Sequence, residues 1–102
     1  MIAGVQIELF LPACQNLKEK RAIVKSLIAK LRSRFNVSAA EVAYYEQWQR
    51  TVLGIAAVAN EMSFLQQEMQ AVVRFVENHP DAELIRVDTE YTNRTASGGE
   101  SK

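Results

Sequence analysis

RTVLGIAAVAN, residues 50–60, decides how the rest of the chain is read. Val52 to Val58 is a nearly continuous apolar run, as expected of a central β-strand with apolar side chains on both faces. A strand in that position needs a strand on either side of it.

Immediately before it, NVSAAEVAYYEQW (36–48) is rich in β-formers and reads as a strand. Val37 and Ala39 share one parity, Val42 and Tyr44 the other, and this slip predicts a bulge near Ala40 and Glu41. At the N-terminus Ala3, Val5, Ile7, Leu9 and Leu11 alternate with Gly4, Gln6, Glu8 and Phe10, a strand that Pro12 ends. Near the C-terminus AELIRVDTEY (82–91) supplies a fourth strand.

Two helices join these strands. NLKEKRAIVKSLIAKLRSRFN (16–36) opens with Asn16 and Glu19, a pair suited to capping a helix start. Leu17, Val24, Leu27, Ile28, Leu31 and Phe35 then form one apolar stripe. Farther on, Ser63 and Gln66 read as a capping box, followed by Leu65, Met69, Val72, Val73 and Val76, with His79-Pro80 as the stop. His79 is expected to complement the negative end of that helix as a cation.

The order is therefore βαββαβ. It predicts an α+β, ferredoxin-like domain: a four-stranded antiparallel sheet with both helices on one face. Right-handed crossovers place the first and third strands in the centre. Residues 1–91 are expected to form this single domain, and 92–102 (TNRTASGGESK) a flexible polar tail. The N-terminal MIAGVQIELFLP has no basic start and is interrupted by Glu8, unlike a signal peptide. With a single cysteine, Cys14, no internal disulfide can form, so a cytoplasmic setting is expected.

Charge is distributed unevenly. The formal net charge is zero, yet residues 17–35 carry Lys18, Lys20, Arg21, Lys25, Lys30, Arg32 and Arg34 against Glu19 alone. Seven against one gives +6, so five against eleven gives −6 elsewhere. At about 100° per residue, Lys18, Arg21, Lys25 and Arg32 fall on one flank of the apolar stripe, and Lys30 and Arg34 on the other. Small residues (Ala22, Ser26, Ala29, Ser33) occupy the outermost face between them. Such a helix fits a polyanion, with phosphates met on both sides and little dependence on base sequence. It fits equally a solvated surface whose cations pair with acids on the strands. Soluble helices usually mix the two signs, which is what makes this one unusual.

Four segments in order, LKEKR (17–21), RFNVS (34–38), AEV (40–42) and WQR with LG (48–50 and 53–54), resemble the YlxP-like family, a bacterial domain of unknown function. The resemblance extends over residues 1 to about 91. It implies the ferredoxin-like fold and a cytoplasmic setting. Genes of that family often neighbour translation-initiation and ribosome-maturation genes, which implies work with RNA or ribosomes. Ala43-Tyr44-Tyr45 is less polar than the family pattern before the tryptophan, and Cys14 stands where a more polar residue is usual.

Chemistry-bearing residues are sparse. One cysteine and one histidine make no soft-metal site. Glu8, Glu41, Glu46, Asp88 and Glu90 are scattered over strands and read as solvated surface. Cys14 reads as an inert loop thiol, and Gly4, Gly54, Gly98 and Gly99 match no phosphate-loop spacing. The expectation is a non-enzymatic domain with no cofactor, no metal, no membrane segment and no small-molecule substrate. RNA or a ribosome would meet the seven cations of the first helix. The alternative is a homodimer through the open sheet face, helped by Phe10, Tyr44, Tyr45 and Trp48.

Overall fold

The computed structural model of the chain describes residues 1–93. Its elements run β1 (Ile2–Phe10), α1 (Leu17–Arg34), β2 (Ser38–Ala43), β3 (Arg50–Val58), α2 (Met62–Glu77) and β4 (Glu83–Thr92). All three strand pairings are antiparallel, in the order β2-β3-β1-β4, so β1 and β3 are central. This is the α+β, ferredoxin-like arrangement, and it follows from two right-handed crossovers on one side of the sheet.

The alternation in β1 sets the core. Ala3, Val5, Ile7 and Leu9 are buried and Leu11 continues their parity, while Leu53, Ile55 and Ala57 oppose them from β3. Val24, Leu27 and Leu31 of α1 and Leu65, Met69, Val72 and Val76 of α2 close over that face. The other face is open. There β3 presents Val52, Gly54, Ala56 and Val58, and Val58 is 67% exposed beside its register partner Ile2.

Local details add to or depart from expectation. The β2 bulge lies at Val42, because the register shifts between Glu41 and Ala43. Glu41 keeps inward parity opposite Leu53, since its carboxylate is drawn to Lys20 at 2.8 Å. A second bulge, at Ile85, interrupts the β1–β4 pairing. Helix α2 starts at Met62 with Glu61 as a cap residue that makes no side-chain bond. Ser63 therefore lies inside the first turn and cannot serve as the cap. His79 accepts the Asp81 N–H at Nδ1, at 3.1 Å, so that nitrogen braces the turn into β4. β4 also reaches Thr92, one residue into the stretch expected to be tail; residues 94–102 lie outside the described residues.

Candidate nucleic-acid interface

Helix α1 is the element on which any polyanion site must be built. Its start is fixed as the sequence indicates: Asn16 Oδ1 accepts the Glu19 N–H at 2.9 Å, and Glu19 Oε1 accepts the Gln15 N–H at 2.8 Å. The outermost residues Ala22, Ser26, Ala29 and Ser33 are exposed, and so are Lys18, Arg21, Lys25, Lys30, Arg32 and Arg34.

Lys20 is set apart from these. It is completely buried, its ammonium 2.8 Å from Glu41 and donating to the backbone carbonyls of Tyr44 and Gln47, the latter at 2.7 Å. Thr51 Oγ1 donates to the same Glu41 carboxylate at 2.7 Å. With its charge met internally, Lys20 has none to offer a surface ligand. A signal for this was present in the sequence: Lys20, Val24, Leu27 and Leu31 are spaced four, three and four, which places Lys20 in the apolar stripe.

The two flanks differ in their surroundings. On one, Arg32 donates to the Ala39 carbonyl of β2 at 2.7 Å, so the Lys18–Arg21–Lys25–Arg32 row runs along the side of the helix nearest edge strand β2. Lys18 to Arg32 spans roughly 21 Å at the helical rise. On the other flank, the Arg34 guanidinium lies 5.0 Å over the Phe75 ring of α2, and Phe75 meets Phe35 edge-on. Among the described residues the ion pairs are Lys20–Glu41, Arg50–Glu8 and Arg86–Asp88. The six exposed cations of α1 thus have no carboxylate partner there.

At the head of the row the turn between β2 and β3 is tied down. Besides the two bonds from Lys20, Gln49 accepts the Leu11 N–H at 2.8 Å through its carbonyl, while its side-chain amide donates to Pro12 and Cys14 carbonyls at 3.2 Å. Tyr44 adopts φ 63°, the left-handed region, with the Arg50 guanidinium 4.4 Å above its ring. Arg50 also bonds Glu8, and that bond raises its pKa further, so it stays cationic. Glu8 and Glu41 are therefore partnered groups and not free surface acids. Tyr44 and Phe10 are half-buried, whereas Tyr45 and Trp48 are 56% and 48% exposed.

Cys14 is buried behind this turn. Burial raises its pKa, the Glu19 and Asp81 carboxylates add to the effect, and Lys20 opposes it. The thiol is therefore held protonated, the reverse of an activated nucleophile.

The open sheet face has a different character. A shallow trough of about 900 Å³ crosses it, floored by Gly4, Ala40, Gly54 and Ala56, with Asp88 and Glu90 on the β4 side and Arg32 at the β2 edge. Those acids disfavour a phosphate chain there, and the strands offer it no row of exposed aromatics.

A family model described as "Protein of unknown function (DUF503)" matches residues 2–89. The chain belongs to that family. The "Uncharacterized protein YlxP" of Bacillus subtilis (strain 168) is 36% identical to it over 91 residues, covering 89% of this chain and 99% of the relative. Neither description states an activity for a DUF503 protein. Three of the segments that carry the YlxP resemblance, LKEKR, AEV and WQR, supply Lys20, Glu41, Gln49 and Arg50 to the tied-down turn. Part of the family pattern is thereby accounted for by folding.

Proposed function

We propose that this domain is a non-enzymatic RNA-associated protein that meets the phosphate backbone with the exposed flank of α1. One observation carries the reading: six exposed cations on one helix have no carboxylate partner among the described residues, while the single buried cation there does. A helix kept as a merely soluble surface would gain from alternating signs at i,i+4 spacing. Small side chains at Ala22, Ser26, Ala29 and Ser33 let a phosphate chain come close between the flanks. Such contacts position without reading sequence.

The test is salt dependence. Four phosphates neutralised by Lys18, Arg21, Lys25 and Arg32 give a slope of log K against log[salt] of about −2.8 for single-stranded RNA. Exchanging Lys18, Arg21 and Lys25 for Gln together lowers the magnitude to about 0.7, with Arg32 kept because it also braces β2. Absence of binding at about 50 mM salt, or an unchanged slope in the triple variant, defeats the reading.

A second reading is self-association through the open sheet face, favoured by the exposed pair Ile2 and Val58 at one end of it and by exposed Val42 beside Gly54 farther along. Of the aromatic residues considered for it, Tyr45 and Trp48 remain available, while Tyr44 and Phe10 are half-buried. Asp88 and Glu90 line the same face, and covering charged groups without partners is costly, which weighs against it. A clean monomer by sedimentation at micromolar concentration removes this alternative.

A further inference from the structure

We infer that Trp48 is a base-stacking platform at the head of the α1 cation row, and that the nucleic acid taken is single-stranded RNA and not a duplex. This rests on the RNA reading above and goes further, naming the form of RNA and a recognition residue outside the helix.

Three observations converge. The backbone on both sides of Trp48 is fixed: Gln47 through the bond from Lys20, and Gln49 through bonds to the Leu11–Cys14 loop. Between these anchors Trp48 is 48% exposed, so about half of this large aromatic residue is left open to a ligand. The anchor itself is Lys20, which stands between Lys18 and Arg21 in α1, so the turn is bonded to the helix where the cation row begins. Tyr45, 56% exposed on the same turn, offers a second ring.

A fixed aromatic residue on a turn anchored to a cation-bearing helix is the combination that single-strand binders use. Cations follow the backbone while bases stack on side-chain rings, with little sequence preference. A duplex has its bases stacked within it and presents phosphates to such a site, so the indole gains nothing from it. The preorganised backbone matters because little flexibility is lost when a base settles on the ring.

Trp48 is the single tryptophan, so indole fluorescence of the full chain reports this residue alone. The experiment titrates the protein at about 50 mM salt with a single-stranded oligoribonucleotide and with a blunt RNA duplex of equal length. The expected result is saturable quenching by the single strand and none by the duplex. Trp48→Ala should weaken single-strand binding on the order of tenfold, leaving the salt slope and the duplex affinity unchanged. Trp48→Phe should retain most of the affinity, which keeps the test valid if the alanine variant folds poorly. Single-strand binding with the slope of the α1 row, but no quenching and no loss in either variant, overturns this inference and leaves the proposed function standing. Equal quenching by duplex overturns the single-strand preference. Failure of the wild-type chain to bind either RNA overturns both.

Discussion

Lys20→Met removes an ammonium that serves one carboxylate and two carbonyls at once. Glu41 is then left charged and largely enclosed, and the Tyr44 and Gln47 carbonyls lose their donor. Breaking a buried pair from one side costs about 3–5 kcal/mol, so urea unfolding of this variant should show a loss of that size. Adding Glu41→Leu should return part of it, because no lone charge then remains in the interior. A loss below about 1 kcal/mol in the single variant would show that the pair is solvated. Cys14 gives a second prediction at this scale. Its pKa is raised in the folded protein, chiefly by burial, so the unfolded chain releases the thiol proton first. The contribution to stability is complete below the unfolded-state pKa and is lost as pH rises through the folded value. Cys14→Ala should flatten that alkaline decline. Ellman's reagent at neutral pH should react slowly with native protein and rapidly in denaturant; equal rates would contradict the buried, protonated thiol.

Pairing of β2 with β3 depends on a close approach. A Cβ built on Gly54 would sit 2.9 Å from Val42 Cγ1 and 3.6 Å from Cγ2, and a β-branched side chain has little rotamer freedom with which to yield. Gly54→Ala should therefore destabilise by about 1–3 kcal/mol, and Val42→Ala in the same chain should relieve it. Gly4, in the neighbouring central strand, has nothing within 4 Å of the corresponding position and no positive φ. Gly4→Ala should be neutral or stabilising by up to about 1 kcal/mol. Denaturant midpoints for the two glycine variants should move apart; a shared shift would argue against the contact. The elements also show which local signals can be read directly. Asn16 and Glu19 form their cap because both partners lie within one turn and nothing competes. Ser63 and Gln66 have the same spacing, yet α2 begins two residues earlier, with Glu61 at the cap position, and the box is never made. The β2 slip was visible as a change of parity, but its position was set by Glu41 reaching for a lysine twenty-one residues away in sequence.

At the scale of the molecule, strand order was legible because crossover handedness leaves few arrangements of βαββαβ. The cation row was legible from helical rotation, whereas the tied-down turn was not, since its bonds join residues 24 to 38 apart along the chain. Total charge hides the consequence of this arrangement. Lys18 with Arg21, Arg21 with Lys25, and Lys30 with Arg34 are like charges three or four residues apart on one helix. Each such pair destabilises an exposed helix by about 0.2–0.5 kcal/mol at low ionic strength, and salt screens it. The buried Lys20–Glu41 pair is screened far less, so it does not offset the trend. Raising sodium chloride from about 10 to 200 mM should then raise the melting temperature of the free protein by a few degrees. Single-stranded RNA at low salt should also raise it, because a ligand that binds the folded state stabilises that state. The RNA increment should fade over the same salt range in which the free protein gains stability. Opposite signs are required, because one set of unpaired cations repels itself in the free protein and attracts phosphate in the complex. A melting temperature that stays flat or falls as salt is added to the free protein would mean that these cations are already neutralised.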